Sequence, residues 1–509
     1  MKNLGALIRH CAEQYGDRIA LIYQDRTFSF RGLHVLSSKL GNSLRGLGIS
    51  PGDRVSIYSQ NSWEWIVGYY AALKIGAVVN PVNVMLTPEE VLYVVNDCGA
   101  KALLTSSDKA EAVLEVARRA ETLKQVVIYG DDAPAPAAAF NRLLEKGRDE
   151  LEIVHRGPDE ISTIGYTSGT TGHPKGAMLT HRGVLLNSRL TANMHMKARD
   201  DVVVSSLPTA HVYGNVVMNG TFLTGGTLVL LERFQEQSAF DAITRHRATM
   251  FEGVPSMYMM LLSHAGMDRC DTSSLKKCTV GGQTISVHVE QEVEKRFGCP
   301  LLELWGMTEI SGLGTTHPLL GENRHGSIGI PLPYCRVKIV DILDPARALG
   351  PGEPGELMFK GAIVMKGYFG NEEATREAIE PDGWLHTGDV ATMDEDGYIC
   401  IVDRCKDMIL TGGYNVYPAE IDRVLLQHPA VAMAAVGAVP DEVKGELAKA
   451  YIVLKPGMTA TTEDEIKSFC RQHLAAYKVP RLIQFVADLP KTSTGKIMRR
   501  SLKDLDARS

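Results

Sequence analysis

No apolar run in this 509-residue chain approaches the length needed to cross a bilayer, so no membrane-spanning helix is expected. The nine cysteines, scattered from Cys11 to Cys470, contain no CxxC pair. An odd, scattered set argues for reduced thiols in a cytoplasmic protein, each serving as a small buried hydrophobe. The 15 histidines form no HExxH helix, and there is no GxSxG elbow and no GxGxxG opening a helix. Zincin, α/β-hydrolase and dinucleotide-binding chemistries therefore lack their carriers. Strong charge is missing too: a net charge of −6 favours solubility and gives no sign of a nucleic-acid partner. Internal repeats are absent. The N-terminal stretch lacks the apolar centre of a signal peptide, because Arg9 and His10 interrupt it. Leu4, Leu7, Ile8 and Cys11 instead recur at helical spacing.

What is present is a chain of ordinary globular composition, 44% hydrophobic and 22% charged, long enough for more than one domain. Strand-like and helical segments alternate, as in Arg54 to Tyr58 then Trp63 to Ile75, and Ala102 to Leu103 then Lys109 to Ala120. That alternation predicts an α/β protein of sheets covered by helices. The Ala/Pro-rich run from Asp131 to Ala139 reads as a surface connection. A boundary falls at DRCKD, Asp403 to Asp407. Residues 1–402 then form a large domain and 403–509 a small α+β domain of about 100 residues. In the small domain, helices are expected at Pro418 to Leu426, Thr462 to Leu474 and Lys496 to Leu505. Strands are expected at Val431 to Val436, Lys449 to Leu454 and Leu482 to Val486.

The densest chemical signal is YTSGTTGHPKG, Tyr166 to Gly176, following the strand-like lead-in Ile161 to Tyr166. Glycines let backbone N–H groups converge on an anion. The hydroxyls of Thr167, Ser168, Thr170 and Thr171 add donors, and Lys175 adds a mobile positive charge. The run reads as a loop that wraps nucleotide phosphates, distinct from the Walker pattern, which needs Gly-Lys followed by Ser or Thr. Trp305-Gly-Met-Thr-Glu309 follows an apolar strand from Pro300 to Leu304 and offers a flat aromatic, a glycine, a hydroxyl and a carboxylate; read alone, Trp305 as a core residue and Glu309 as a helix cap is the simpler reading. Glu309 suits a magnesium ion shared with phosphates. Asp389, in WLHTGD, suits the two hydroxyls of a ribose. Arg404 can add a donor there. Gly412-Gly413-Tyr414 allows close approach by a slender ligand, and a tight turn is an equal alternative. KTSTGK, Lys491 to Lys496, ends in a lysine able to meet an anionic transition state.

In this order the motifs resemble the acyl-adenylate-forming superfamily, which includes acyl-CoA synthetases, luciferases and the adenylation domains of peptide synthetases. PTAHVYG (Pro208 to Gly214), GGQTIS (Gly281 to Ser286) and DRCKDMILTGGYNVYP complete a resemblance that covers nearly the whole chain. It implies a ligase that activates a carboxylic acid with ATP and magnesium and passes the acyl group to coenzyme A. It implies that Thr167, Ser168, Gly169, Thr170, Thr171, Gly172 and Lys175 hold the ATP phosphates. Gly281, Gly282, Gln283, Leu304, Trp305 and Gly306 would line the adenine and the acid. Thr308 and Glu309 would serve phosphate and metal, and Asp389 and Arg404 the ribose. Lys496 would bridge carboxylate and nucleotide, and a mobile small domain would turn about a hinge at Lys406. Gly412, Gly413 and Tyr414 would line the pantetheine tunnel. His211, Val212, Tyr213, Val216, Val217 and Met307 would border the acid, with His211 among the catalytic candidates. The resemblance leaves a homodimer open.

This sequence departs from the family pattern at Trp305, Gln283, Thr284, Thr209 and Ala210, all around the acid-binding region. From Val202 to Leu231 there is no Asp, Glu, Lys or Arg. A second carboxylate on the substrate would want a cation there. An uncharged tail follows: a medium or long fatty, aryl or alicyclic acid. Asn215, Asn219 and Gln283 are open either to a ring hydroxyl or to backbone groups. Transfer to a carrier protein is the alternative within the chemistry, and a non-catalytic nucleotide-binding scaffold the alternative outside it. Lys175, Glu309, Asp389, Arg404 and Lys496 together argue against a scaffold.

Overall fold

The computed structural model describes residues 3–167, 174–411, 414–441, 444–458, 460–490 and 497–508. By contact the chain divides into two units, Met1–Val337 with Phe359–Leu385, and Lys338–Met358 with His386–Ser509.

The first unit is built on two sheets. Strands such as Arg54–Tyr58 (RVSIY) and Ala100–Thr105 (AKALLT) are nearly continuous apolar runs, the pattern of parallel strands covered on both faces. One sheet runs in the order Ala138–Ala139, Gln125–Ile128, Ala100–Thr105, Arg54–Tyr58, Val78–Pro81, Ile161–Thr167, Lys175–Thr180. All its pairings are parallel except the last. The other has nine strands, with Leu301–Met307, Lys277–Gly281, Met250–Gly253, Val202–Ser205, Thr227–Leu230 and Ile19–Tyr23 as its parallel centre.

Helix Trp63–Lys74 starts where Ser62 accepts the Trp65 N–H, and helix Pro88–Asp97 starts in a Thr87–Glu90 capping box. The helix expected at the N-terminus is present as Leu7–Tyr15 after a short 3-10 turn, with Leu4, Leu7, Ile8 and Cys11 all buried.

Most of the four-stranded sheet Arg336–Val340, Gly355–Lys360, Leu385–Met393, Ile399–Arg404 falls in the second unit. That unit also contains a smaller α+β layer. There Ile409, Val416, Ile421, Leu425, Val436, Ile452, Ile466 and Cys470 form one core between a five-stranded sheet and helices Pro418–Leu425 and Glu463–His473. Two strands extend beyond their expected lengths. Val431–Asp441 and Gly445–Leu454 pair antiparallel out to Asp441 opposite Gly445. Their outer halves alternate weakly and so carry little strand signal. The expected helix after Lys496 is instead a 3-10 segment, Arg499–Arg508, fixed from outside. Leu502 packs with Ala435, Tyr451 and Leu489, while Lys449 and Tyr451 bond Asp506 at 2.7 and 3.0 Å.

Candidate active site

Four of the segments singled out in the sequence, those after Ile161–Thr167, Val202–Ser205, Lys277–Gly281 and Leu301–Met307, leave from the carboxyl ends of strands with parallel neighbours, the edge at which open α/β sheets place ligands. Strand Ile161–Thr167 turns back into Lys175–Thr180 with Thr167 opposite Lys175. Ser168, Gly169, Thr170, Thr171 and Gly172 lie outside the described residues. The base of the turn is anchored. The Tyr166 hydroxyl donates to Asp97, and the Tyr93 hydroxyl reaches the Pro174 carbonyl at 3.4 Å.

Strand Leu301–Met307 ends in a single 3-10 turn, Thr308–Ile310. Thr308 meets strand Ile161–Thr167 over Gly165, where a Cβ would lie 2.8 Å from the threonine methyl. Glu309 is buried, and its Oε1 accepts from the Tyr368 hydroxyl at 2.9 Å. The Lys175 ammonium lies 5.3 Å from the centre of the Tyr368 ring. Tyr368 thus stands between the cation and the carboxylate. Burial, and then the Glu309 charge, push its phenol well above the usual value, so it remains a proton donor. Sequence reasoning missed Tyr368 because MKGYFG carries no catalytic or nucleotide-binding motif. Its place is set by backbone bonds from Phe369 to Gly176 and from Met365 to Glu309, both 2.7 Å. Among the described residues no group of three or more His, Cys, Asp or Glu could hold a metal. A single carboxylate fits Mg²⁺ only when phosphate oxygens supply further ligands, so the donor set suits an ion that arrives with a triphosphate.

Trp305 does not present its ring. The indole is buried, 6.3 Å from the Phe359 ring centre, and a Cβ at Gly314 would lie 2.5 Å from it. The alternate residues Leu304 and Gly306 point the other way. Leu304 covers Gly281, where a Cβ would lie 2.2 Å from its Cδ1, and Gly306 is exposed. Gly282 turns at φ +87°, and Gln283 and Met307 are half-buried.

The acid-pocket candidates sit on helix Val212–Leu223. His211 is its N-cap, with Nδ1 accepting the Tyr213 N–H at 3.2 Å. Val212 is half-buried and the Tyr213 hydroxyl contacts Thr279 Oγ1 at 2.8 Å. Val216 is 1% exposed and lies over Gly312, where a Cβ would fall 2.5 Å from its Cγ2; Val217 is buried as well. Asn215 and Asn219 serve the core: Oδ1 of Asn215 accepts from Tyr69 at 3.3 Å, and Oδ1 of Asn219 from Tyr70 at 2.8 Å. The helix is charge-free because it is enclosed, and charges do reach it from neighbouring elements. Lys197 pairs with Glu252 at 2.5 Å and contacts Thr221 on the helix. Glu252 accepts from Thr279 at 3.1 Å, and Lys277 pairs with Asp201 at 3.0 Å.

In the second unit, Asp389 and Arg404 are directly opposed across two antiparallel strands, with Arg404 Nε 2.5 Å from Asp389 Oδ1. Glu356, unmarked in the sequence reading, organises the turn before Asp389. It accepts the Gly388 N–H at 3.1 Å and contacts His386 Nδ1 at 2.9 Å. Lys406 is exposed in the 3-10 turn Cys405–Asp407. Tyr414 is exposed and stacks on Tyr477 at 4.6 Å; Gly412 and Gly413 lie outside the described residues, as does Lys496. Three residues beyond Lys496, Arg499 pairs with Asp422 at 2.6 Å. Burial dominates at Asp422 and pushes its carboxyl up to about 7, with the Arg499 charge opposing.

The first unit holds Lys175, Tyr368 and Glu309 together, and the second holds the Asp389–Arg404 pair. The sequence profile described as AMP-binding enzyme matches residues 8–369, and that of the AMP-binding enzyme C-terminal domain matches 420–496. The chain belongs to the AMP-binding enzyme family. It is 34% identical to a long-chain-fatty-acid–CoA ligase of Bacillus subtilis (strain 168), over 98% of this chain and 94% of that protein. It is 33% identical to the 3-[(3aS,4S,7aS)-7a-methyl-1,5-dioxo-octahydro-1H-inden-4-yl]propanoyl:CoA ligase of Mycobacterium tuberculosis, over 99% of each. Its fold matches that of the anthranilate CoA ligase AuaEII in complex with anthranoyl-AMP, with a TM-score of 0.91 and 28% identity, covering 100% of this chain and 98% of that one. No described helix is long and apolar enough to cross a membrane.

Proposed function

We infer that the chain is an AMP-forming acyl-CoA synthetase for a carboxylic acid with an uncharged tail. The observation that carries the nucleotide chemistry is the Lys175–Tyr368–Glu309 alignment at the base of the hydroxyl-rich turn. A carboxylate is a poor electrophile, and attack on the α-phosphate of ATP converts it to acyl-AMP. Charge builds on phosphate oxygens in that step, so fixed donors and cations lower the barrier. In this reading the 167–172 donors and Lys175 hold the phosphates, while Tyr368 keeps one oxygen of Glu309 occupied and orients the other. Magnesium, when bound with the phosphates, neutralises part of their charge. Asp389 and Arg404 take the ribose, and Lys496 meets the carboxylate and nucleotide during adenylation. Residues 403–509 then turn about Lys406 to bring Gly412, Gly413 and Tyr414 toward the CoA thiol, which displaces AMP. The acid, ATP and CoA are the small-molecule partners, and a cytoplasmic location and a homodimer complete the reading.

The tail is read from pocket charge. The ion pairs near helix Val212–Leu223 are mutually neutralised, so neither Lys197 nor Lys277 offers an unpaired cation to a second carboxylate. The three relatives' names specify a long-chain fatty acid, a fused-ring propanoyl acid and anthranilate. The test is ATP–pyrophosphate exchange by the purified protein over a panel of acids, followed by addition of CoA and detection of the thioester. Exchange should require an acid of this kind, and CoA alone should discharge the adenylate. Exchange without thioester formation would favour a carrier-protein acceptor, and a preference for malonate would overturn the uncharged tail.

A further inference from the structure

Helix Val212–Leu223 and strand Lys277–Gly281 are tied together by one chain of polar side chains. The Tyr213 hydroxyl meets Thr279 Oγ1 at 2.8 Å. Thr279 donates its single hydroxyl proton to Glu252 Oε2 at 3.1 Å, so in the first contact Tyr213 is the donor and Thr279 the acceptor. The other oxygen of Glu252 takes Lys197 Nζ at 2.5 Å, and Lys197 donates again to Thr221 Oγ1 at 3.3 Å. Thr221 lies on the same helix as Tyr213, so the chain closes on the element from which it started. All five residues are buried. The bridge stands near the strand end. Thr279 and Gly281 share one face of their strand, and two residues of parallel strand span about 7 Å. A tail entering at Gly281 between helix and strand therefore meets the tethered Tyr213 within about 7 Å. Behind that contact lies the Glu252–Lys197 pair, with Glu252 beside Thr279 in the sheet register. Along the helix, Val216 closes against Gly312, where a Cβ would fall 2.5 Å from its Cγ2. An alkyl chain passing deeper would have to part these hydrogen bonds and lie against a dry ion pair, which is costly.

We propose that the Tyr213–Thr279 bridge determines specificity by ending the acid site: it admits acids with a compact tail, a ring or a short chain beside the carboxyl group, and turns away extended long-chain fatty acids. The proposal rests on the reading of helix Val212–Leu223 and the Gly281 strand end as borders of the acid. It divides the uncharged acids of that reading in two and takes the compact ones. The bridge is a firm stop because swinging Tyr213 aside leaves the buried Thr279 without its donor and puts the Tyr213 hydroxyl in search of another acceptor.

The test measures kcat/KM for CoA thioester formation from benzoate, cyclohexanecarboxylate, hexanoate, dodecanoate and palmitate in the wild type, Tyr213→Phe and Tyr213→Ala. In the wild type, palmitate should fall at least about 10²-fold below the best compact acid. Tyr213→Ala opens the path as far as the ion pair and should raise dodecanoate relative to benzoate by about tenfold. Tyr213→Phe keeps the ring but unties it from Thr279, and should shift the same ratio in the same direction by less. Melting curves establish which variants fold; if Tyr213→Ala does not, the wild-type profile and Tyr213→Phe decide. A wild-type preference for palmitate over the compact acids would overturn the proposal and leave the ligase reading standing. So would an unchanged dodecanoate-to-benzoate ratio in the variants that fold. No thioester from any acid, or a preference for malonate, would overturn the acid reading itself and the proposal with it.

Discussion

Lys197–Glu252 and Arg404–Asp389 have the same 2.5 Å separation and opposite surroundings. Both side chains of the first pair are 1% exposed, and the remaining oxygen of Glu252 is taken by Thr279. In the second, Asp389 is 5% exposed while Arg404 is 54% exposed. A sealed pair has already lost its hydration and cannot turn toward a ligand without leaving a buried charge. An arginine that is half exposed keeps its hydration when it swings away, and the buried Asp389 then needs another donor in its place. The first pair belongs to the scaffold under helix Val212–Leu223. The second, under the proposed function, exchanges its partner for a ribose.

The comparison breaks most readily at the sealed pair. Lys197→Met leaves Glu252 buried without its cation and should cost about 3–5 kcal/mol of stability, read by denaturant unfolding. A loss below about 1 kcal/mol would mean that water reaches the pair. Next comes Lys496→Ala. Adenylation should slow roughly 10²-fold, with thioester formation from supplied acyl-AMP little changed. Equal slowing of both half-reactions would remove Lys496 from the nucleotide-facing class.

Val216→Trp follows. With Val216 against Gly312, the larger ring overpacks the core and should cost about 1–3 kcal/mol. A stable variant with an altered acid preference would instead place Val216 on an open pocket wall. The smallest effect is expected at Tyr368→Phe, which removes the bond to Glu309 but keeps the ring near Lys175. The kcat/KM for MgATP should fall by about tenfold, on the scale of a hydrogen bond to a charged group. No change would make Tyr368 a packing residue only.

Much of this was legible in the chain. The strand leading into the hydroxyl-rich run, the helix over Trp63–Lys74 and the small-domain helices Pro418–Leu425 and Glu463–His473 follow from periodicity, which is local. What the sequence could not supply was long-range. The charge-free stretch folds as an enclosed helix, whose neighbours bring in Lys197, Glu252, Lys277 and Asp201 from 197–277 along the chain. Trp305, open in the sequence to a core or a nucleotide-lining place, is buried beside Phe359, while Gly306 is exposed. Asn215 and Asn219 found tyrosine partners about 150 residues away. Tyr368 and Glu356 carried no motif; they matter because of the carboxylate and the turn they meet in space.

The central claim is that exposed charges on buried partners serve the nucleotide, whereas sealed pairs serve only the fold. The most direct test is the melting temperature of wild type, Arg404→Ala and Lys197→Met, each with and without saturating MgATP. A ligand that binds only the native state raises the melting temperature in proportion to its affinity. Arg404→Ala should melt with the wild type in the absence of nucleotide and lose most of the MgATP-induced rise. Lys197→Met should start markedly lower and keep the full rise. The reverse pattern, with Arg404→Ala destabilised and still shifted by MgATP, or Lys197→Met stable and no longer shifted, would contradict the claim.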